Sequence, residues 1–388
     1  MKRKPIILIL LIFIVGHTLL IYAEETSNLI ENQMKDINFQ EMEELLYNLK
    51  QQSYINYLQD LNFKEIVKQV AFGQISISTP EVINILITII FKEFYYQKKL
   101  IGKFIIISIV SAIMKNFTES FKNKGVAEMG FYTIYLVFIL LLFQSFEVAV
   151  IVTKETTETL ILIMQSLVPT LMSFMFLSGS ISSSSIFHPI ILVSVQTMGI
   201  LIQNIFIPGI FFMTILALIN QLSKKQVLKQ WIQLLKKGIQ WGLKAVAGIF
   251  ITVLGLQSLT LPILDNFIHK TTQHALGSIP VVGNVLTGAV DTVLNCSILI
   301  KQAVGIGGII VLGVFCITPI LKLVSFVLLY KLTAAMIQPL GEQRIVHCMN
   351  YVGESCQLLL SCLSILTILF IVSITMMVGM TNIGAIIR

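Results

Sequence analysis

Between Ile186 and Asn220 the chain runs for about 35 residues without one Asp, Glu, Lys or Arg. About 20 apolar residues are enough for a helix to cross the hydrocarbon core of a bilayer, so a run of this length must have lipid or protein on every side. Similar runs recur at roughly 100–115, 130–152, 159–181, 242–264, 303–321, 323–340 and 356–380. Over the whole chain 55% of residues are hydrophobic and 12% are charged, whereas soluble domains carry about 25% charged residues. Backbone polar groups in lipid must pair within their own segment, and runs this long do so as helices. The fold class expected is therefore all-α: a polytopic helical membrane protein of about seven to nine transmembrane helices in 100–388.

The N-terminus has the layout of a secretory signal. Lys2, Arg3 and Lys4 precede an apolar core from Ile6 to Val15, and Tyr22-Ala23 stands at a cleavage point before Glu24. The alternative is an uncleaved anchor, since Ile6 to Tyr22 nearly suffices to span; in both cases the chain from Glu24 onward is exported. Residues 24–80 hold nine acids and four lysines, a net of −5. Met42, Leu45, Leu46 and Leu49, and then Phe63, Ile66, Val67, Val70 and Ala71, repeat at helical spacing, which predicts a small exported helical domain. Its apolar faces suit packing on each other, on a partner or on the membrane. Thr79-Pro80-Glu81 is a helix start, and the short apolar run after it predicts an amphipathic interfacial helix over 81–99.

Subtracting the three signal positives and the exported domain leaves 20 basic and 11 acidic residues in 81–388, a net of +9. Lys224, Lys225, Lys229, Lys236, Lys237 and Lys244 fall together with no acid among them. Lysine collects on cytoplasmic loops, so this stretch is expected inside, and nucleic acid is not needed to explain the basic balance. Parity from an exported start then favours two crossings through 186–220, joined at Pro208-Gly209, and a cytoplasmic C-terminus. One tilted helix plus a surface piece is the alternative.

No catalytic or metal pattern emerges. Cys296, Cys316, Cys348, Cys356 and Cys362 show no CxxC spacing and read as small buried side chains. The five histidines are scattered, and no HExxH, GxSxG or Gly-Lys-Ser/Thr motif is present. No enzyme, cofactor or metal is expected.

Residues 265–302 differ from the rest. Gly277, Pro280 and Gly283 break an apolar stretch, and irregular backbone at membrane depth is tolerated only inside protein or along a wet cavity. Placed on a helix, Thr287, Asp291, Asn295, Lys301 and Gln302 share one face. The stripe is a candidate pore lining or subunit interface; the alternative is a surface helix with a solvated face. Asp291 and Lys331 stand out because ionisable groups inside a membrane are costly, and Asp291 and Glu147 are candidate partners for Lys331. Gly305, Gly307, Gly308 and Gly313 predict close helix packing.

Several of these residues also resemble a known family. Ile279-Pro280-Val281-Val282-Gly283, Ala289-Val290-Asp291-Thr292-Val293-Leu294, Cys296-Ser297, Leu299-Ile300-Lys301 and Ala303-Val304-Gly305 are similar to the signature stretch of stage III sporulation protein AE. The likeness continues through Pro319, Tyr330 and Gln338-Pro339-Leu340 to Arg344-Ile345-Val346, and departs from it at Asn295 and Gln302. The resemblance implies a non-enzymatic component of a channel between mother cell and forespore, in the mother-cell membrane, with residues 24–80 in the intermembrane space. It implies as partners the sister proteins of the same operon: a secretion-type ATPase, small membrane proteins and ring-forming single-pass proteins. A forespore-membrane partner and self-association into a homo-oligomer are compatible with it. Alternatives of other classes are a secondary transporter with a midplane site in 277–302, and a scaffold for ring-forming partners.

Overall fold

The computed structural model describes residues 40–51, 62–74, 79–120, 124–178, 181–222, 227–277, 283–340 and 343–379. The signal segment 1–23 and Pro280 lie outside the described residues. Every regular element described is helical. Two short helices, α1 (Gln40–Gln51) and α2 (Phe63–Ala71), precede α3 (Thr79–Ser120), α4 (Lys124–Leu177) and α5 (Ile181–Leu201). A π turn at Ile202–Phe206 leads into α6 (Ile207–Asn220), followed by α7 (Lys229–Gly277), α8 (Gly283–Ile337), a 3-10 turn at Gln338–Leu340 and α9 (Gln343–Gly379).

Side-chain pairs set the directions of the long helices. Ser145 on α4 meets Tyr330 on α8 at 2.6 Å, and Leu167 on α4 packs against Gly308, so these two helices are antiparallel. Lys331 reaches Gln357 and Lys301 reaches Met377, so α8 and α9 are antiparallel too. Gln165 with Gln196 and Ile239 with Gly209 extend the alternation through α5, α6 and α7. The result is an up-and-down bundle whose joints alternate between two ends. The joints after Ser120, Asn220 and Leu340 share one end, with Lys124, Lys229 and Arg344 beside them. The joints after Leu177 and Gly277, and the end of α9, share the other.

Among the described residues five helical stretches are long and apolar enough to cross a membrane: Tyr132–Leu177, Pro189–Asn220, Lys229–Gln257, Leu294–Ile337 and Gln343–Gly379. The chain therefore turns back less often than hydropathy suggests. The runs 130–152 and 159–181 are one helix, because Thr153-Lys154-Glu155-Thr156-Thr157-Glu158 contains no breaker. Its threonines instead hydrogen-bond the helix behind them: Thr153 to the Ala149 carbonyl at 2.7 Å, Thr157 to the Thr153 carbonyl at 2.8 Å. Pro208-Gly209 is not a turn either. The π turn lies immediately upstream, with the Ile207 N–H bonded to the Ile202 carbonyl, and this wider turn takes up the hydrogen bond that Pro208 cannot make. Likewise 303–321 and 323–337 lie on the single helix α8, with Pro319 inside it, and 338–340 form the 3-10 turn that follows.

The reduced number of reversals also bears on orientation. α2 packs beside Gly307, about 45 Å along α8 from the basic joint that follows Leu340, and therefore lies well away from that joint. The C-terminal end of α9, expected beside the basic stretch, instead lies at the end away from Lys229.

The N-terminal helices dock on this bundle. Asn62 caps α2 by accepting the Glu65 N–H at 3.2 Å. Gly73, at φ 65°, closes it: the Gly73 N–H reaches the Val70 carbonyl at 3.1 Å and the Gln74 N–H the Gln69 carbonyl at 2.9 Å. Phe63 and Val67, on the face predicted from spacing, are fully buried against α8 around Gly307, whereas Lys64, Glu65 and Lys68 face outward. Met42 and Leu46 of α1 are buried on α4. Of the four glycines predicted to bring helices close, Gly305 meets Val378, Gly307 meets α2 and Gly308 meets Leu167, while nothing lies within 4 Å of Gly313. The five cysteines are free and buried.

Candidate functional site

The polar stripe read on 287–302 does lie on a helix, α8, which begins at Gly283, just as α7 ends at Gly277. Of the break expected in 265–302, residues 278–282 lie outside the described residues, and helix borders them on both sides. The side chains of Thr287 and Asp291 lie outside the described residues. Beyond them, Asn295 is exposed, Gln302 is half-buried and Lys301 is buried completely. The Lys301 ammonium donates to the Met377 carbonyl at 3.3 Å. Met377 is in the last turn of α9, whose carbonyls have no intrahelical N–H to accept and carry the negative end of the helix dipole, so Lys301 acts as a cap. Lys331 is exposed, and its ammonium donates to Gln357 Oε1 at 3.4 Å. Forty residues along the same helix separate it from Asp291, about 60 Å, so those two cannot pair.

Lys331 opens instead onto a pocket of about 990 Å³ between α7, α8 and α9. From α7 come Gln233, Lys236, Gln240 and Lys244, spaced one turn apart; from α9 come His347, Asn350, Glu354, Gln357 and Ser361, at steps of three and four. Both sets are single helical faces that meet across a gap. The Lys236 ammonium bridges to Glu354 at 2.9 Å, with side chains 30% and 39% exposed. A pair this open contributes at most about 1 kcal/mol, and its structural use is to fix α7 against α9. The apolar Ile232, Leu243, Leu358 and Ile365 complete the wall. On its other face α9 is fastened to α6 by a buried hydrogen bond from Thr214 Oγ1 to Ser355 Oγ at 2.7 Å.

The candidate spans Lys229–Gln257, Leu294–Ile337 and Gln343–Gly379 carry ten Lys, Arg, His and Glu residues, and five of them line this one pocket. Ionisable groups in such segments are costly to place, so their convergence marks a functional-site candidate. Of the five, the sequence reading singles out Lys331 alone. The α9 stripe is legible as a heptad-like polar series, but Lys236 and Lys244 read as part of a basic loop, whereas residues from Lys229 onward are helical. Among the described residues no group of His, Cys, Asp and Glu suits a metal ion.

Comparison with known proteins adds identity to this geometry. A family model described as stage III sporulation protein AE matches residues 61–381. The stage III sporulation protein AE of Bacillus subtilis (strain 168) is 30% identical over 317 residues, covering 81% of this chain and 79% of that protein. No solved structure matches.

Proposed function

The chain belongs to the stage III sporulation protein AE family, and from that premise we propose that it is a non-enzymatic integral component of a sporulation channel complex in the mother-cell membrane facing the forespore. The observation that carries the reading is helix length. α4 has 54 residues and α8 has 55, about 80 Å each, against a hydrocarbon core of about 30 Å. Tilt does not absorb the surplus: at 40°, the upper end of the usual range, such a helix still projects about 60 Å along the membrane normal. A bundle of this height extends beyond one bilayer, which suits a component of an assembly between two membranes.

Charge supplies the orientation in this reading. Lys122, Lys124, Lys224, Lys225, Lys229 and Arg344 fall in or beside the joints at one end of the bundle, whereas near the opposite joints after Leu177 and Gly277 the nearest Lys or Arg is Lys270. The positive-inside rule puts the basic end in the cytoplasm. With α3 crossing as well, the N-terminal helices, docked beside Gly307 about 45 Å from the basic end, face the intermembrane space, where the charged side of α2 is solvated. The exposed apolar residues of α3 (Ile106, Ile109, Val110 and Ile113) suit lipid or a neighbouring subunit.

Affinity purification of a tagged chain from sporulating cells tests the proposal. Recovery of the secretion-type ATPase and ring-forming sister proteins is expected. Purification of the chain alone, together with normal forespore development in a deletion strain, would refute it.

A further inference from the structure

We propose that the pocket between α7, α8 and α9 binds an anion of the phosphate class. Its charge does not balance among the described lining residues. Among the described lining residues Glu354 is the sole acid, and Lys236 already meets it at 2.9 Å. Lys244 and Lys331 add two further ammonium groups, and His347 a third nitrogen donor, without a second carboxylate in the wall. A cation site would need the reverse composition, several carboxylate or carbonyl oxygens around one point. The uncharged polar residues fit an anion as well: the carboxamides of Gln233, Gln240 and Asn350 each offer N–H donors, and Ser361 a hydroxyl. Lysine ammonium groups hold phosphate as point charges and do not require the planar geometry that arginine imposes.

Size and lining sharpen the class. The pocket is an open groove, with Lys244, Lys331, His347 and Asn350 exposed along it, and it has room for more than an inorganic ion. Leu243 and Leu358 lie in its floor, buried in the core, so the surface offered to a ligand is chiefly that of the lysines and the uncharged polar side chains. The same chemistry is presented by the headgroup of an anionic phospholipid and by a soluble phosphate-bearing molecule.

The test uses the full-length chain purified in mild detergent. Native mass spectrometry after addition of phosphatidylglycerol, with phosphatidylcholine in parallel, reads lipid retention; thermal unfolding with added glycerol phosphate and inorganic phosphate reads the soluble source. Phosphatidylglycerol retained in preference to phosphatidylcholine, without a shift from the soluble phosphates, identifies a lipid headgroup. A shift from the soluble phosphates identifies a free phosphate ligand. In either case Lys244→Gln with Lys331→Gln weakens binding at least about tenfold, as expected for loss of hydrogen bonds to a charged group, while Lys244→Arg with Lys331→Arg retains it. The arginine pair also controls for folding, since it alters the same positions without removing charge. Equal retention of the two lipids together with no response to phosphate, or binding unchanged in the glutamine pair, overturns the proposal.

Discussion

Replacing Gly307 by leucine addresses how the N-terminal helices are held. A Cβ at this position would lie 3.1 Å from Val67 Cγ2, 3.5 Å from Phe63 Cε2 and 3.6 Å from Ile66 Cγ2. One added carbon already requires Val67 to yield by a few tenths of an ångström, and the three further carbons of leucine have nowhere to go but into α2. Overpacking of this kind costs about 1–3 kcal/mol. Burial of Phe63 and Val67, which are fully enclosed, contributes about 3–6 kcal/mol to docking. The substitution therefore removes a large share of what keeps α2 in place. A nine-residue helix is too short to persist alone, so undocking and unwinding are one event. Amide hydrogen exchange of residues 62–74 in the detergent-solubilised chain reads it directly, and 1–3 kcal/mol corresponds to about 5- to 150-fold faster exchange. Gly307→Ala should show the small end of that range, because its one added carbon asks Val67 to yield by only a few tenths of an ångström. Gly313→Ala, with nothing within 4 Å, should gain helix stability and leave α2 unchanged. Exchange over 62–74 that stays at the wild-type rate in Gly307→Leu would refute the docking.

Tyr330→Phe should destabilise the bundle by about 1–3 kcal/mol, since Ser145 loses its 2.6 Å partner in a buried setting; thermal unfolding in detergent measures it, and the double variant with Ser145→Ala should recover part of the loss. Lys301→Met should fray the last turn of α9, seen as faster amide exchange at 374–379 by about tenfold, with little change in the first half of the same helix. For topology, cysteines introduced at Ser223 and Ser278 should label from opposite sides of the membrane, and a reporter fused after Arg388 should fall on the side of Ser278. Same-side labelling of the two cysteines would break the alternation of the bundle.

How far the sequence carries the structure depends on the length scale of the signal. Hydropathy identifies which segments are apolar, and spacing places Phe63 and Val67 on the buried face of α2. Hydropathy does not show where the chain reverses. The polar stretch from Lys154 to Glu158 reads as a loop to any hydrophobicity average, yet each of its residues is compatible with a helix, and its threonines bond back to the preceding turn. Pro208 fails as a marker for a similar reason: one π turn absorbs its missing hydrogen bond. Residue type anticipates the polar pocket only in part. Lys331 stands out because it interrupts an apolar run, but the pocket arises where faces of α7 and α9 confront each other, and that pairing is a property of tertiary packing. Lys301 shows the converse, a residue prominent in the stripe whose ammonium caps another helix 76 positions away.

The burial of all five thiols has a practical consequence for handling the molecule. Membrane-impermeant maleimides should find little to react with on the folded, unmodified chain. An engineered surface cysteine can therefore be read against the native protein, with no need for a cysteine-free background and its own losses in packing. Conversely, the onset of labelling at Cys348 or Cys362 on warming would report opening of the bundle interior, giving the natural sequence a built-in probe of its own unfolding.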